Sequence, residues 1–142
     1  MSARPGPRVS EIELSLGWVI VYVDDPAVAS AFYQRTFGLR GEFVAAEGSY
    51  AQLDTGATKL AFASYELGRR NFPGGVRPAD GDGAPPPNVE ITLVATDVDG
   101  ALARALDGGC TLLAAAEDKP HGQRVAFVCD PFGTLVEIAT PL

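Results

Sequence analysis

The chain repeats one pattern twice, and that repetition limits its possible folds more than any other feature. Residues 18–23, WVIVYV, form an apolar strand-like run leading to Asp25, then PAVASAFYQRTF and a closing Gly38. Residues 90–95, EITLVA, lead in the same way to Asp97, then VDGALARALD and the pair Gly108–Gly109. Asp97 stands 72 positions after Asp25, and the step from aspartate to closing glycine is 13 residues to Gly38 in the first copy and 12 to Gly109 in the second. An aspartate can cap the free N–H groups of a helix, Pro26 suits the first helical position, and glycine suits the left-handed residue that ends one. Three strand-like runs follow each helix: GEFVAA, YAQLD and KLAFAS, then TLLAA, RVAFVCD and TLVEIA. Turn-forming stretches such as EGS, TGAT and DPFG separate them. The order is β-α-β-β-β, twice.

One helix per copy cannot cover both faces of a four-stranded sheet, so two copies side by side leave a shared concave face. The expected fold class is α+β: two tandem βαβββ modules, about residues 14–67 and 88–140, with helices on the convex side of a curved mixed sheet. Residues 68–87, GRRNFPGGVRPADGDGAPPP, are rich in glycine and proline and are expected to be a linker without helix or central strand. Residues 1–10 are expected to be a disordered tail, and EIELSL after them has the alternation of a half-exposed strand. The run WVIVYV is apolar at every position, which predicts a strand buried on both faces.

Composition narrows the function. The chain has 142 residues, enough for a single domain with one core. Its net charge of −7 argues against nucleic acid, because no basic stripe exists to displace counterions from phosphates. The lack of a signal-type segment and of a long apolar run, with only two cysteines, predicts a cytoplasmic protein without a membrane span. Cys110 and Cys129 have no C-x-x-C partner and are expected to be small buried hydrophobes.

The tandem modules resemble the vicinal oxygen chelate superfamily. The resemblance rests on VDDPAVASAFYQRTFGL in the first module and DPFGTLVEI closing the second, and it extends from about residue 14 to 140. That superfamily includes glyoxalases, extradiol dioxygenases and bleomycin-resistance-type drug-binding proteins. Its metal-dependent members carry four ligands, usually histidine or glutamate, on the concave faces. The resemblance places Trp18, Lys59, Glu90 and Glu137 at those positions. Indole offers only an N–H and an ammonium repels a cation, so two glutamates remain, and no metal or other cofactor is expected. If an ion is held at all, Glu90, Glu137 and the lone His121 are the candidates.

Alternation along the strands turns Trp18, Ile20 and Tyr22 toward the cup, with Tyr50 and Gln52, Glu90 and Thr92, Phe127 and Glu137. The expected ligand-binding set is Trp18, Tyr22, Tyr50, Gln52, Lys59, Glu90, Thr92, Phe127 and Glu137, with Phe72 of the linker as a cover. No catalytic residue is assigned. An aromatic lining with a few polar groups suits a flat, partly polar small molecule. The expected function is metal-independent binding of an antibiotic or aromatic metabolite by sequestration, in a homodimer as the resemblance implies. The alternatives are a metal-dependent glyoxalase- or dioxygenase-like enzyme using Glu90 and Glu137, or a domain whose cup is filled by its own side chains.

Overall fold

The structure is a computed structural model describing residues 6, 11–80 and 83–142. Apart from Gly6, the expected tail lies outside the described residues. The first module runs β1 (Trp18–Val23), α1 (Pro26–Phe37), β2 (Arg40–Val44), β3 (Tyr50–Asp54) and β4 (Lys59–Ser64). A short helix α2 (Tyr65–Asn71) follows. The second module runs β5 (Glu90–Val94), α3 (Val98–Asp107), β6 (Thr111–Asp118), β7 (Arg124–Cys129) and β8 (Leu135–Ala139). Each module makes a four-stranded sheet, ordered β1-β4-β3-β2 and β5-β8-β7-β6. The first and last strands of each module, β1 with β4 and β5 with β8, pair in parallel and the other neighbours antiparallel. This is the mixed-sheet α+β plan of the repeat.

The caps follow the sequence. Asp25 Oδ1 accepts from the N–H groups of Ala27 and Val28, and Gly38 ends α1 at φ 72°. Asp97 caps α3 through the N–H of Gly100, with Gly108 as its last cap. α1 sits at the centre of the core, with Phe32 and Tyr33 fully buried. The Phe32 ring meets Phe132 of the second module edge-on at 5.6 Å, and Tyr33 lies 5.1 Å from Phe62. Tyr33 also donates its hydroxyl hydrogen to Asp130 Oδ2 at 2.5 Å, while Asp130 Oδ1 accepts from the N–H groups of Phe132 and Thr134. Burial, helped by Asp130, pushes the Tyr33 phenol far above its usual range. Burial also raises the Asp130 carboxyl, against the opposing pull of these hydrogen bonds. One core therefore spans both modules.

Three expectations change. EIELSL is not a strand: residues 12–17 make no ladder, and Ile12, Leu14 and Leu16 are exposed. Alternation signals a strand only where a neighbouring strand is present to pair with it. The start of the expected linker is helical, because Ser64 caps α2 through the N–H of Leu67, and Glu66 and Arg69–Arg70 suit its two ends. Gly68 is tolerated inside that helix for a packing reason. A Cβ there would stand 3.0 Å from Tyr22 Cε1, so its absence lets the ring approach. Third, β1 is buried on one face only: Val19, Val21 and Val23 meet the core, while Trp18 is 56% and Ile20 42% exposed.

Candidate functional site

Strand pairing decides which side chains share the cup. In the first sheet Trp18 lies opposite Lys59, Ile20 lines up with Ala61, Gln52 and Phe43, and Tyr22 lines up with Ala63 and Tyr50. The two alanines of β4 matter. β1 and β3 are two strand spacings apart, about 10 Å, and side chains from each can meet only if the strand between them carries nothing tall. The Trp18 indole, in register with Lys59, reaches diagonally to Gln52, in register with Ala61, and donates its Nε1–H to Gln52 Oε1 at 2.9 Å. The Tyr50 hydroxyl donates to the same oxygen at 2.6 Å. Gln52 Nε2 donates in turn to Glu42 Oε2 at 2.8 Å. Glu42 lies 3.7 Å from the Lys59 ammonium, which is 2.8 Å from Asp54 Oδ1.

Ion pairing explains the perturbed charges here. The hydrogen bond from Lys59 holds the Asp54 carboxyl below its usual value, and Asp54 holds the Lys59 ammonium above its own. Burial, followed by the nearby Glu42, raises the Tyr50 phenol.

Glu42 and Phe43 were not among the residues expected at the site, and a β-bulge places Phe43 there beside Glu42. Gly41 opposes Leu53 and Phe43 opposes Gln52, so Glu42 is the extra residue. Regular alternation would have sent Phe43 into the core; the bulge turns it toward the cup, where its ring lies 5.7 Å from Tyr50. The signal was Gly41, since a glycine inside a strand pattern often marks a bulge or a close approach. A Cβ on Gly41 would collide with the Gln34 side chain of α1.

In the second sheet Glu90 lines up with Leu135, Cys129 and Thr111, and Thr92 with Glu137, Phe127 and Ala114. Thr92 Oγ1 is 3.0 Å from Glu90 Oε2 and 3.3 Å from Glu137 Oε1. Its one hydroxyl hydrogen can go to only one of the two carboxylates at a time. Lys59, Glu90 and Thr92 also line one cleft of about 430 Å³ where the modules meet. Tyr22 is on the cup side of β1 but packs against Gly68, and Phe72 is an exposed residue capping α2. A second cavity of about 700 Å³ lies between residues 79–80 and 83–87 on one side and the β7–β8 turn on the other, and none of the expected ligand residues lines it.

The residues at the metal-ligand positions do not fit a metal. Lys59 is cationic and committed to two carboxylates, and the Trp18 N–H is donated to Gln52. His121 is in the β6–β7 turn with Nε2 2.7 Å from Gln123 Oε1. Among the described residues, no three histidine, cysteine, aspartate or glutamate side chains are grouped to hold an ion. Cys110 is buried, with its thiol pushed up to about 12, and Cys129 is partly buried. No helix among the described residues is long and apolar enough to cross a membrane.

Two sheets of paired βαβββ modules with an aromatic and acidic concave surface define a class of small-molecule proteins in which one scaffold serves binders and enzymes alike. The chain belongs to the Glyoxalase/Bleomycin resistance protein/Dioxygenase superfamily, whose profile matches residues 15–138. A glyoxalase-related enzyme from Fulvimarina pelagi has the same fold, with a TM-score of 0.75, 22% identity, and coverage of 89% of this chain and 88% of that one. TioX from Micromonospora sp. ML1 has a TM-score of 0.64 and 27% identity over 90% of this chain and 99% of its own. The anthracycline biosynthesis protein DauV of Streptomyces sp. strain C5 is 29% identical over 90% of this chain and 42% of its own length. Matches to the curated relatives span 32–42% of those proteins' lengths.

Proposed function

We propose that the protein binds a flat, partly aromatic small molecule, an antibiotic or aromatic metabolite, and sequesters it without a metal and without making or breaking a bond. The observation that carries this reading is Trp18. Its indole is more than half exposed on the concave face, with its N–H already donated to Gln52. A core tryptophan would be buried; this one presents a π-face. Ile20 and Phe43 extend the exposed apolar surface. The name of the related DauV supports an aromatic ligand class.

Hydrogen-bond accounting narrows that class. The Trp18 and Tyr50 donors are spent on Gln52, and the Lys59 ammonium is held by Asp54 and Glu42. What remains for a ligand from these groups is aromatic faces and the oxygens of Glu90, Thr92 and Glu137. Such a surface favours a planar molecule bearing an amine and disfavours an anion, in keeping with the net charge of −7. A homodimer belongs to the same reading. β1 and β5 are each at the edge of a sheet, and a second copy would cover the open faces.

The experiment is a titration read by Trp18, the only tryptophan. Doxorubicin, planar with an amine, is expected to quench its emission with an affinity near micromolar, about −8 kcal/mol. FMN, planar with a phosphate, is expected to bind at least tenfold more weakly. Calorimetry checks both. Flat heats with planar amines, or stoichiometric metal in the purified protein that is lost in Glu137→Ala, would overturn the reading.

A further inference from the structure

We infer that Gln52 and Glu42 form a positioning pair that sets the orientation of Trp18 and Tyr50, and that Gln52 acts on a ligand only through those rings. Gln52 is 8% exposed. Both lone pairs of its amide oxygen are occupied, one by the Trp18 N–H and one by the Tyr50 O–H, and its Nε2 is donated to Glu42. Little of that amide is left for a guest.

Packing does not fix the indole. Trp18 is more than half exposed, and its partner on β4 is the flexible Lys59 side chain, whose ammonium is committed to Asp54 and Glu42. The single polar tether of the indole fixes it. That tether depends on which way round the amide of Gln52 stands. Turned by 180°, its NH₂ would face the donor-only Trp18 N–H and its oxygen would face a carboxylate. Glu42, which can only accept, therefore fixes the amide with its oxygen toward the rings. Glu42 stands on this side at the bulge in β2, and Lys59, itself held by Asp54, anchors it. A chain of contacts thus runs from the rim ion pair to the indole.

The test uses the full chain labelled with ¹⁵N, in which Trp18 supplies a single indole N–H resonance. Q52L is expected to shift that resonance and speed its hydrogen exchange at least tenfold. E42Q removes the carboxylate that enforces the amide's direction from the far side, leaving only the Trp18 N–H to oppose a flip, and is expected to broaden or split the resonance. The swapped pair E42Q/Q52E is expected to restore one sharp, protected resonance. There, a carboxylate at position 52 accepts from both rings while an amide at position 42 donates to it. An unchanged indole signal in folded Q52L and E42Q would overturn the inference, as would failure of the swap to restore what E42Q loses. Should either single variant fail to fold, the swapped pair still decides.

The affinity arm rests on the proposed function. Releasing the rings is expected to weaken doxorubicin binding roughly 2- to 10-fold per freed side chain, and the swap to recover it. If doxorubicin fails to bind the unaltered chain, the binding proposal falls while the indole resonance still judges the positioning pair.

Discussion

The two modules share a backbone plan, and their first strands, β1 and β5, differ on one face only. Positions 72 apart make this visible. Toward the core, Val19, Val21 and Val23 answer to Ile91, Leu93 and Ala95, all apolar. Toward the cup, Trp18, Ile20 and Tyr22 answer to Glu90, Thr92 and Val94. The face that must pack has kept its character, because any polar group there would be buried without a partner. The open face was free to diverge. In the first module it became aromatic and internally bonded, with the Trp18 and Tyr50 donors matched to Gln52. In the second it became acidic, with two carboxylates at one hydroxyl.

The helices diverged too. Tyr33 of α1 stands 72 positions before Ala105 of α3, and both are fully buried. α1 reaches across to the second module through Phe32 and Tyr33, whereas α3 buries only Val98 and Ala105. The core should therefore fail first at α1. Phe32→Ala is expected to cost about 3–5 kcal/mol, and Val98→Ala in α3 about 2 kcal/mol. Urea denaturation of the two variants checks this, and equal losses would break the asymmetry.

Tyr33→Phe is the next largest change, about 1–3 kcal/mol at neutral pH, because it removes a hydrogen bond from the buried Asp130 carboxylate. The sign with pH follows from burial, which raises the carboxyl above its ordinary 3.8 in the folded chain. A raised acid favours the fold in its protonated form, so the stability it contributes is present below the ordinary value and lost as pH rises through the folded one. Removing the Tyr33 hydroxyl takes away a lowering influence and raises that carboxyl further. The gap between Tyr33→Phe and the unaltered chain should be widest at pH 7 and close as pH falls toward 3.8. A gap that stays constant would show that Asp130 is not the group involved.

The core face was legible in the sequence because burial, alternation and capping all act on residues close together in the chain. Asp25 and Gly38 mark their helix ends by their own chemistry, and the repeat made the second helix findable from the first. The cup was legible only in part. Alternation placed Trp18 and Gln52 on one face, but it could not show that they would meet across β4, nor that a bulge would turn Phe43 to the same side. Both depend on register between strands. The unbroken apolar run of β1 also hid a distinction: it says that something apolar meets the second face, not that this chain supplies it. α2 was missed because Gly68 and Pro73 look like breakers, and the role of Gly68 appears only once Tyr22 is beside it.

The turns that precede β4 and β8 sharpen the contrast on a smaller scale. Gly56 at φ 100° has open space around it, while Gly133 at φ 91° has the Ala79 methyl where its own Cβ would stand, 2.6 Å away. Alanine at either position is strained by the positive φ, by about 1 kcal/mol. Gly133→Ala must also displace residue 79, so its loss is expected to be about twice that of Gly56→Ala. Thermal melts of the pair measure the difference, and equal shifts would mean that residue 79 yields freely.

The smallest expected effect concerns the acidic face itself. Thr92 can donate to Glu90 or to Glu137, so one carboxylate oxygen is always left facing the hydroxyl oxygen without a hydrogen between them. Glu137→Gln supplies the missing donor and removes one of two like charges. It is expected to stabilise the chain by about 0.2–0.5 kcal/mol and to weaken binding of a planar amine. The corresponding change on the first face, Gln52→Leu, should lower both stability and affinity, because it strips the partners from the Trp18 and Tyr50 donors and from Glu42. Opposite signs of stability change with a shared loss of binding would mark the second face as one whose polar groups are left for a guest. A loss of stability in Glu137→Gln would show instead that the carboxylate is held by the chain.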